Sequence, residues 1–270
     1  MKKIYIRVRA LALSFLDLLT RKRGVSISFH NRRLRVPGRY YRYFSKNYEQ
    51  ENFQFLEDSI TPGTICLDIG AHIGLYTVFM AKKDAVVFSF EPSPASFQWL
   101  KKMVALNHCE NKVTLLPKAV TGFTGYSSFY LNHSLRNGRD PIQIAEANSL
   151  VNVDFGPTLR KEEIRVETVS IDDFILKNNI KPGFIKIDVE GAELEVLEGA
   201  AKTIMEHRPS GIISVHNFAF SSKEESLSGI WQLMQQYRLI VLKDKQEMNR
   251  EKFLSMTSEL IFDFQFRPRP

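Results

Sequence analysis

The chain has very few cysteines, and this scarcity restricts the kinds of protein it could be. Only Cys66 and Cys109 occur among 270 residues, and no Cys/His spacing typical of a zinc site is present. Two cysteines cannot supply the disulfide framework of a small secreted domain, and Cys66 falls inside an apolar run where a small core residue is expected. The sequence therefore favours a reducing compartment, and we expect a cytoplasmic protein.

The N-terminal apolar run is too short to cross a bilayer. Residues 10–19 form a run of ten that Asp17 interrupts, whereas a membrane-spanning helix needs about 20 apolar residues. No small-x-small cleavage site follows it, which disfavours a secretory signal. Lys and Arg flank the run on both sides, so one alternative is a helix lying on an anionic membrane surface. The other is a helix that docks on the protein itself.

Acidic residues are almost absent from the first 46 residues. This segment holds 13 Lys and Arg against one acid, a formal charge of +12, while the other 224 residues hold 24 Lys and Arg against 29 Asp and Glu, a charge of −5. We therefore expect residues 1–50 to form a basic arm and residues 51–270 to form one domain. Arg and Tyr interleave in the arm, which fits a substrate cap, a solvated β-ribbon or nucleic-acid binding. No RNA or DNA module accompanies it, so we do not expect nucleic acid as a partner.

Apolar strand patterns alternate with helical patterns from residue 64 onward. This alternation is typical of an α/β fold with a doubly wound, mainly parallel sheet. The helical pattern over Ala192–His207 is the most regular. Residues 132–163 are polar, contain Gly and Pro, and show no period, so we expect a long irregular lid or binding loop there.

A glycine turn follows the first of these strands. Asp68, Gly70 and Gly74 form the pattern D-x-G-x-x-x-G, and Glu91 ends the next strand, seventeen residues after Gly74. Glycine allows a ligand to approach the backbone, and an acid at the tip of the neighbouring strand can bind two ribose hydroxyls. The spacing differs from the G-x-G-x-x-G of dinucleotide-binding folds. The turn therefore predicts a site for S-adenosylmethionine (SAM) in preference to NAD.

Ionisable residues end two later strands. Asp188 and Glu190 close the run from residue 184, and His216 and Asn217 close the run from residue 212. We expect Asp188 and Glu190 to share a face by the two-residue period of a strand, and His216 to join them if the two strands are neighbours. We also expect Lys186 to reach these carboxylates, because an unpaired buried lysine would be costly.

This predicted cluster has three interpretations. A histidine beside a methyl donor could act as the general base that removes the proton of a hydroxyl, with a pKa near neutral, while Asp188 or Glu190 orients it or takes the base role. The carboxylates with His216 or Asn217 could instead hold Mg²⁺. In the third interpretation Glu190 only caps the following helix and His216 only ends its strand.

Taken together, these segments resemble the FkbM-type SAM-dependent methyltransferase family. The resemblance covers about residues 55–220 and rests on residues 67–76, 90–93, 170–174, 185–193 and 215–216. It implies the class I methyltransferase (Rossmann-like) fold with a mainly parallel, seven-stranded sheet, and Ala119 as a residue lining the adenine. Family members commonly methylate hydroxyls, so the resemblance implies an O-methyltransferase acting on a sugar, glycan or related natural product. The alternatives are a nucleic-acid or protein methyltransferase and a SAM-binding module without activity.

Overall fold

The computed structural model describes residues 15–20, 23–41, 43–44, 48–134, 148–153 and 159–270. Within these ranges no helix has the length and apolar character needed to span a membrane. In chain order, the strands are β1 (Val25–Phe29), β2 (Arg32–Val36), β3 (Ile65–Ile69), β4 (Val86–Phe90), β5 (Val113–Leu116), β6 (Ala119–Val120), β7 (Gly125–Ser134), β8 (Leu159–Val169), β9 (Phe184–Ile187), β10 (Ser210–His216), β11 (Leu239–Lys243), β12 (Gln246–Glu247) and β13 (Ile261–Pro268). A short helix at residues 15–19 comes first. The helices that follow are α1 (Gln50–Ser59), α2 (Leu75–Ala81), α3 (Pro94–Leu106), α4 (Ile171–Asn178), α5 (Glu193–Glu198), α6 (Ala201–His207), α7 (Lys223–Gln236) and α8 (Arg250–Leu254).

One large sheet organises the molecule. Its strand order is β12–β11–β13–β10–β9–β3–β4–β5. The run from β10 to β5 is parallel, and β13 lies antiparallel between β10 and β11. β12 has only two residues at the edge, and the remaining seven strands are those that the family resemblance implies. The predicted doubly wound, mainly parallel sheet is confirmed.

The period of two along each strand divides the core into two clusters, one on each face of the sheet. In β3, Leu67 and Ile69 pack in the cluster that contains apolar residues of α4 to α8. Cys66 packs in the cluster that contains residues of α1, α2 and α3. Cys66 is therefore a buried core residue, as its position in an apolar run predicts.

The β1–β2 hairpin is half buried. Phe29, Leu34 and Val36 lie in the same core cluster as Phe53 of α1, and the rings of Phe29 and Phe53 are 4.8 Å apart, edge to face. The alternate side chains of β2, among them Arg33, are exposed. Part of the basic arm thus packs against residues that follow residue 50, and the domain boundary at that point stays a prediction.

Two expectations about secondary structure are wrong. The irregular segment 132–163 begins and ends with strand, because β7 and β8 form a long antiparallel ladder in a small sheet with β6; residues 135–147 and 154–158 lie outside the described residues. The helix expected over Ala192–His207 is two helices, α5 and α6. They separate at Gly199, whose carbonyl accepts a hydrogen bond from the backbone N–H of Asp172 at 2.9 Å. An added Cβ at Gly199 would lie 2.6 Å from the carbonyl oxygen of Thr121, so this turn packs too closely for any other residue.

Candidate active site

A cavity of about 450 Å³ opens where the parallel strands end. The carboxyl ends of neighbouring parallel strands form the usual ligand site of such sheets. Of the predicted site residues, Gly70, Glu91 and Ala119 line one part of this cavity, and Asp188, Glu190 and His216 line another. The fold therefore brings six of the eight predicted site residues to the same cavity. Asp68 and Gly74 lie behind it.

Gly70 is fixed by its backbone conformation and by a close neighbour. Its φ of +77° lies in the left-handed region, which costs a residue with a Cβ about 1–2 kcal/mol. A Cβ here would also lie 1.8 Å from the carbonyl oxygen of Asp188. Only glycine allows the turn after β3 to touch the turn after β9, and this contact joins the two parts of the cavity.

Asp68 and Gly74 support the turn from beneath. Asp68 is buried and accepts a hydrogen bond from the hydroxyl of Thr77 at 2.5 Å. Burial raises the pKa of Asp68 to about 6. Gly74 begins α2 with a φ of +89°, and a Cβ there would lie 2.5 Å from Leu100. These two residues shape the turn without facing the cavity.

Glu91 is held rigidly at the tip of β4. Its carboxylate accepts hydrogen bonds from the backbone N–H groups of His72 at 2.7 Å and of Ser93 at 2.8 Å. Burial raises the pKa of Glu91 to about 7. His72 also lines the cavity; burial lowers the pKa of His72 to about 4, and its Nε2 is buried without a hydrogen-bond partner among the described residues. His72 thus belongs to the turn that holds Glu91 in place.

His216 lies among carboxylates at the end of β10. β9 and β10 are adjacent and parallel, and Nε2 of His216 lies 3.6 Å from Asp188 and 3.5 Å from Glu190. The predicted cluster is present, but the reason given for it is wrong: β9 ends at Ile187, and Glu190 sits in a turn with a φ of +57°. Both carboxylates face His216 because of this turn, and the two-residue period of a strand does not explain their positions.

Glu193 is a partner of His216 that the sequence analysis missed. Its Oε1 lies 2.8 Å from Nδ1 of His216 and accepts a hydrogen bond from the backbone N–H of Gly191 at 3.0 Å. Glu193 is completely buried at the start of α5. A second acid three residues after Glu190 is the signal that could have revealed it.

The charge on His216 differs from the expectation. Burial alone would lower the pKa of His216, but the hydrogen bond to Glu193 and the nearby carboxylates outweigh burial and raise the pKa to about 10. The expected near-neutral pKa is therefore wrong. At neutral pH the imidazole carries a proton and a positive charge, which the surrounding carboxylates stabilise.

Lys186 reaches the carboxylates as predicted. Its ammonium, almost fully buried, donates to Asp188 at 2.9 Å and to the hydroxyl of Ser214 at 2.9 Å. It also lies 5.0 Å from the centre of the Tyr76 ring. Burial opposes ionisation of Asp188, but the charges of Lys186 and His216 prevail and lower the pKa of Asp188. Asp188 is thus a carboxylate between two cations.

The basic arm supplies another part of the cavity wall. Tyr43, Tyr48 and Glu49 line it, together with Asp263 of β13. Glu49 accepts a hydrogen bond from the hydroxyl of Tyr76, and Asn52 donates to Asp263 at 2.7 Å. None of these residues was predicted individually from the sequence as part of the site. The sequence did not reveal Asp263 because β13 runs antiparallel to β10, which places the beginning of β13 beside the end of β10.

The divalent-cation alternative has some geometric basis. Asp188, Glu190 and His216 each offer a ligand atom, and these atoms lie within 4.8 Å of one another. Asn217, however, is buried and uses its amide to donate to the carbonyls of Met256 and Glu259. It does not line the cavity, so the part of this alternative that relies on Asn217 is not supported.

The sheet order, the glycine turn and the acid at the tip of β4 together define a class I methyltransferase. Residues 68–240 match the family described as the methyltransferase FkbM domain. The chain belongs to this family of SAM-dependent methyltransferases.

Curated relatives include two enzymes of known reaction. The chain is 26% identical over 157 residues to the hexuronic acid methyltransferase AglP of Haloferax volcanii, covering 58% of each chain. It is 27% identical over 157 residues to the 31-O-demethyl-FK506 methyltransferase FkbM of Streptomyces tacrolimicus, covering 52% of this chain and 60% of that one. The chain therefore spans about three fifths of the length of these relatives. A solved methyltransferase FkbM from Methylobacillus flagellatus superposes with a TM-score of 0.43 at 17% identity, over 86% of this chain and 54% of that chain.

Proposed function

We propose that the chain transfers a methyl group from SAM to a hydroxyl of a sugar, glycan or related natural product. The observation that carries the proposal is the His216 imidazole, buried among three carboxylates in the wall of the same cavity that Gly70 and Glu91 line. An alcohol does not ionise near neutral pH, so its methylation benefits from a base that takes the proton as the new bond forms. The names of the two relatives, one acting on a hexuronic acid and one forming a 31-O-methyl group, fit this class of acceptor.

The residues of the first half of the cavity fit the adenosyl cofactor. Gly70 brings the turn after β3 into the cavity wall, the Glu91 carboxylate suits ribose hydroxyls, and Ala119 presents a small apolar surface for the adenine. His72 lies in the same part of the cavity wall. When bound, SAM supplies a methyl group activated by its positively charged sulfur.

His216 is the residue that accepts the proton in this proposal. If Nδ1 carries a hydrogen donated to Glu193, the tautomer is fixed and Nε2 faces Asp188, Glu190 and the cavity. The carboxylates stabilise the imidazolium that forms when Nε2 takes the proton. Because the pKa of His216 is raised to about 10, only a small fraction of the free protein has the neutral imidazole at pH 7. A bound cation in the cavity lowers that pKa and increases this fraction.

The Tyr43, Tyr48 and Glu49 segment forms the acceptor side in this proposal. These residues come from the arm and meet Asp263 across the cavity, away from the glycine turn. This supports the substrate-cap interpretation of the arm. Two aromatic rings and two carboxylates suit a polyhydroxylated acceptor, because carboxylates accept hydrogen bonds from hydroxyls.

Mg²⁺ at Asp188, Glu190 and His216 is the second candidate for activating the hydroxyl. Lys186 already neutralises one oxygen of Asp188, and His216 would have to lose a proton before binding a metal. The base must lose the same proton, so only the pairing of Asp188 with Lys186 favours the base over the ion. Activity that survives EDTA treatment supports the base, and activity restored only by added Mg²⁺ supports the ion.

The test is incubation of the purified chain with isotopically labelled SAM and a panel of extracted glycans and lipids. The expected product gains the mass of one labelled methyl group on oxygen. His216→Gln should abolish this gain, while His207→Gln at the end of α6 serves as the matched histidine control. Transfer to RNA or protein, or calorimetric binding of SAM with no transfer to any acceptor, would favour the rival interpretations. Cytoplasmic localisation stays a prediction.

A further inference from the structure

The helix at residues 15–19 is oriented with its apolar side outward. Phe15, Leu18 and Leu19 are 61%, 64% and 68% exposed, and their spacing places them on one side of the helix. We call these three residues the outward face. Asp17, by contrast, has a side chain only 15% exposed. This is the reverse of the usual arrangement on a soluble protein, where the apolar side of a surface helix faces the core.

Specific contacts hold the helix in this orientation. The Asp17 carboxylate accepts hydrogen bonds from the backbone N–H of Gly38 at 3.0 Å and from the ammonium of Lys102 at 3.0 Å. Gly38 lets the helix approach: a Cβ there would lie 2.5 Å from the backbone nitrogen of Asp17. The polar residue is the attachment point, so the outward face cannot turn inward without breaking these contacts.

Exposed arginines follow the outward face along the chain and lie on strand β2, which contacts that segment through Arg35. Arg23 follows the helix by four residues and is exposed, and its carbonyl accepts a hydrogen bond from the guanidinium of Arg35 at 2.6 Å. Arg35 and Arg33 are exposed on β2. Exposed apolar side chains bordered by arginines match a bilayer with anionic lipids, because the side chains enter the interface while the cations meet the headgroups.

We propose that the outward face docks this protein on the surface of an anionic lipid bilayer. A purely apolar partner would gain nothing from the adjacent arginines, whereas an anionic membrane uses both features. The segment that receives the helix at Gly38 continues directly to Tyr43 and Tyr48 in the cavity wall. The residue that receives the helix is therefore only a few positions away in the chain from residues of the cavity wall. Docking at the outward face would hold this stretch of chain near the membrane. The proposal does not depend on which molecule accepts the methyl group.

Vesicle co-sedimentation of the full chain tests this proposal. Vesicles of neutral phosphatidylcholine are compared with vesicles that contain about 30% phosphatidylglycerol, at about 0.1 M and about 1 M salt. We expect binding to the anionic vesicles at the lower salt, and binding at least about tenfold weaker to neutral vesicles or at the higher salt. The double variant Arg23→Gln/Arg35→Gln should bind the anionic vesicles about tenfold more weakly.

Replacing the outward face gives the decisive comparison. The triple variant Phe15→Ser/Leu18→Ser/Leu19→Ser should lose vesicle binding and keep its unfolding temperature and its affinity for S-adenosylhomocysteine. Leu176→Ser on α4, where the side chain is 82% exposed, is the matched control and should bind vesicles like the unaltered chain. The proposal is wrong if the triple variant binds as well as the unaltered chain, or if neither binds any vesicle. It is also wrong if the outward face joins two copies, seen as a dimer in light scattering that the triple variant disrupts.

Discussion

Replacing Glu193 by Gln should shift the pH dependence of methyl transfer. The carboxylate accepts hydrogen bonds from His216 and Gly191 through the same oxygen, Oε1, while Oε2 is buried without a partner among the described residues. A glutamine can place its own Oε1 at the same point and keep both hydrogen bonds. Glu193→Gln therefore removes the charge and leaves the geometry, which isolates the electrostatic effect on His216.

The size of the shift follows from the hydrogen bond that loses its charge. A hydrogen bond to a charged group contributes about 1.5–3 kcal/mol, and one pKa unit corresponds to about 1.36 kcal/mol. The pKa of His216 should thus fall by about 1–2 units. Because the base must be neutral to accept a proton, the acidic limb of the kcat/KM profile should move to lower pH by the same amount. Maximal kcat should decrease, since a weaker base removes the proton less effectively.

Steady-state kinetics across pH at saturating SAM measure this shift, and titration of the His216 ring protons by NMR measures the pKa without turnover. Glu198→Gln, an exposed change on the same helix, is the control and should leave both quantities unchanged. An NMR pKa that falls while the kinetic limb stays in place would show that His216 is not the base. If neither moves, Glu193 does not control the charge of His216 and the electrostatic argument fails.

Three further predictions concern the cofactor turn and the buried lysine. Burial raises the pKa of Glu91 to about 7, so the carboxylate protonates between about pH 8 and about pH 6 and then accepts weaker hydrogen bonds; calorimetry should show the affinity for S-adenosylhomocysteine falling about tenfold over this range. Glu91→Gln should bind weakly at both pH values. An unaltered pH dependence in that variant would contradict the assignment of Glu91 to the ligand. Gly70→Ala should lower the melting temperature and abolish cofactor binding, because its Cβ would meet the Asp188 carbonyl. Gly63→Ala is the matched control, since it has a φ of +83° with nothing within 4 Å and should show only the backbone cost; equal effects would rule out the close contact as the cause. Lys186→Met should destabilise the fold by about 1–3 kcal/mol in urea unfolding, because Asp188 loses its ammonium partner while its side chain, 35% exposed, keeps access to water. A loss below about 0.5 kcal/mol would mean that solvent already screens this pair.

The sequence predicted a residue's position correctly where that position depends on the residue's own strand. The order of strands and helices, the glycine turn and the positions of Glu91 and Ala119 are all local properties of a β-α unit, and the structure places them in one wall. The neighbouring positions of β9 and β10 then follow from the parallel fold, which brings His216 beside Asp188 and Glu190.

The failures have a common physical origin. The pKa of His216 depends on Glu193, whose side chain turns back from the start of α5, and no pattern within β10 reveals that contact. The first half of β8 was missed because residues 160–163 have exposed side chains and so lack the alternation that identifies a half-buried strand. The arm residues Tyr43 and Glu49 join the cavity only through tertiary packing.

Because β13 runs antiparallel to β10, the residues beside the His216 cluster and the residues of the glycine turn come from distant parts of the chain. The first residues of β13 stand opposite the last residues of β10, with Ile261 paired to His216 and Asp263 to Ser214, so the beginning of this strand borders the carboxylate cluster around His216. The loop before this strand can change in length or composition without disturbing the segment that carries Gly70 and Glu91. A change on the β13 side of the cavity would therefore leave the glycine turn and the tip of β4 intact.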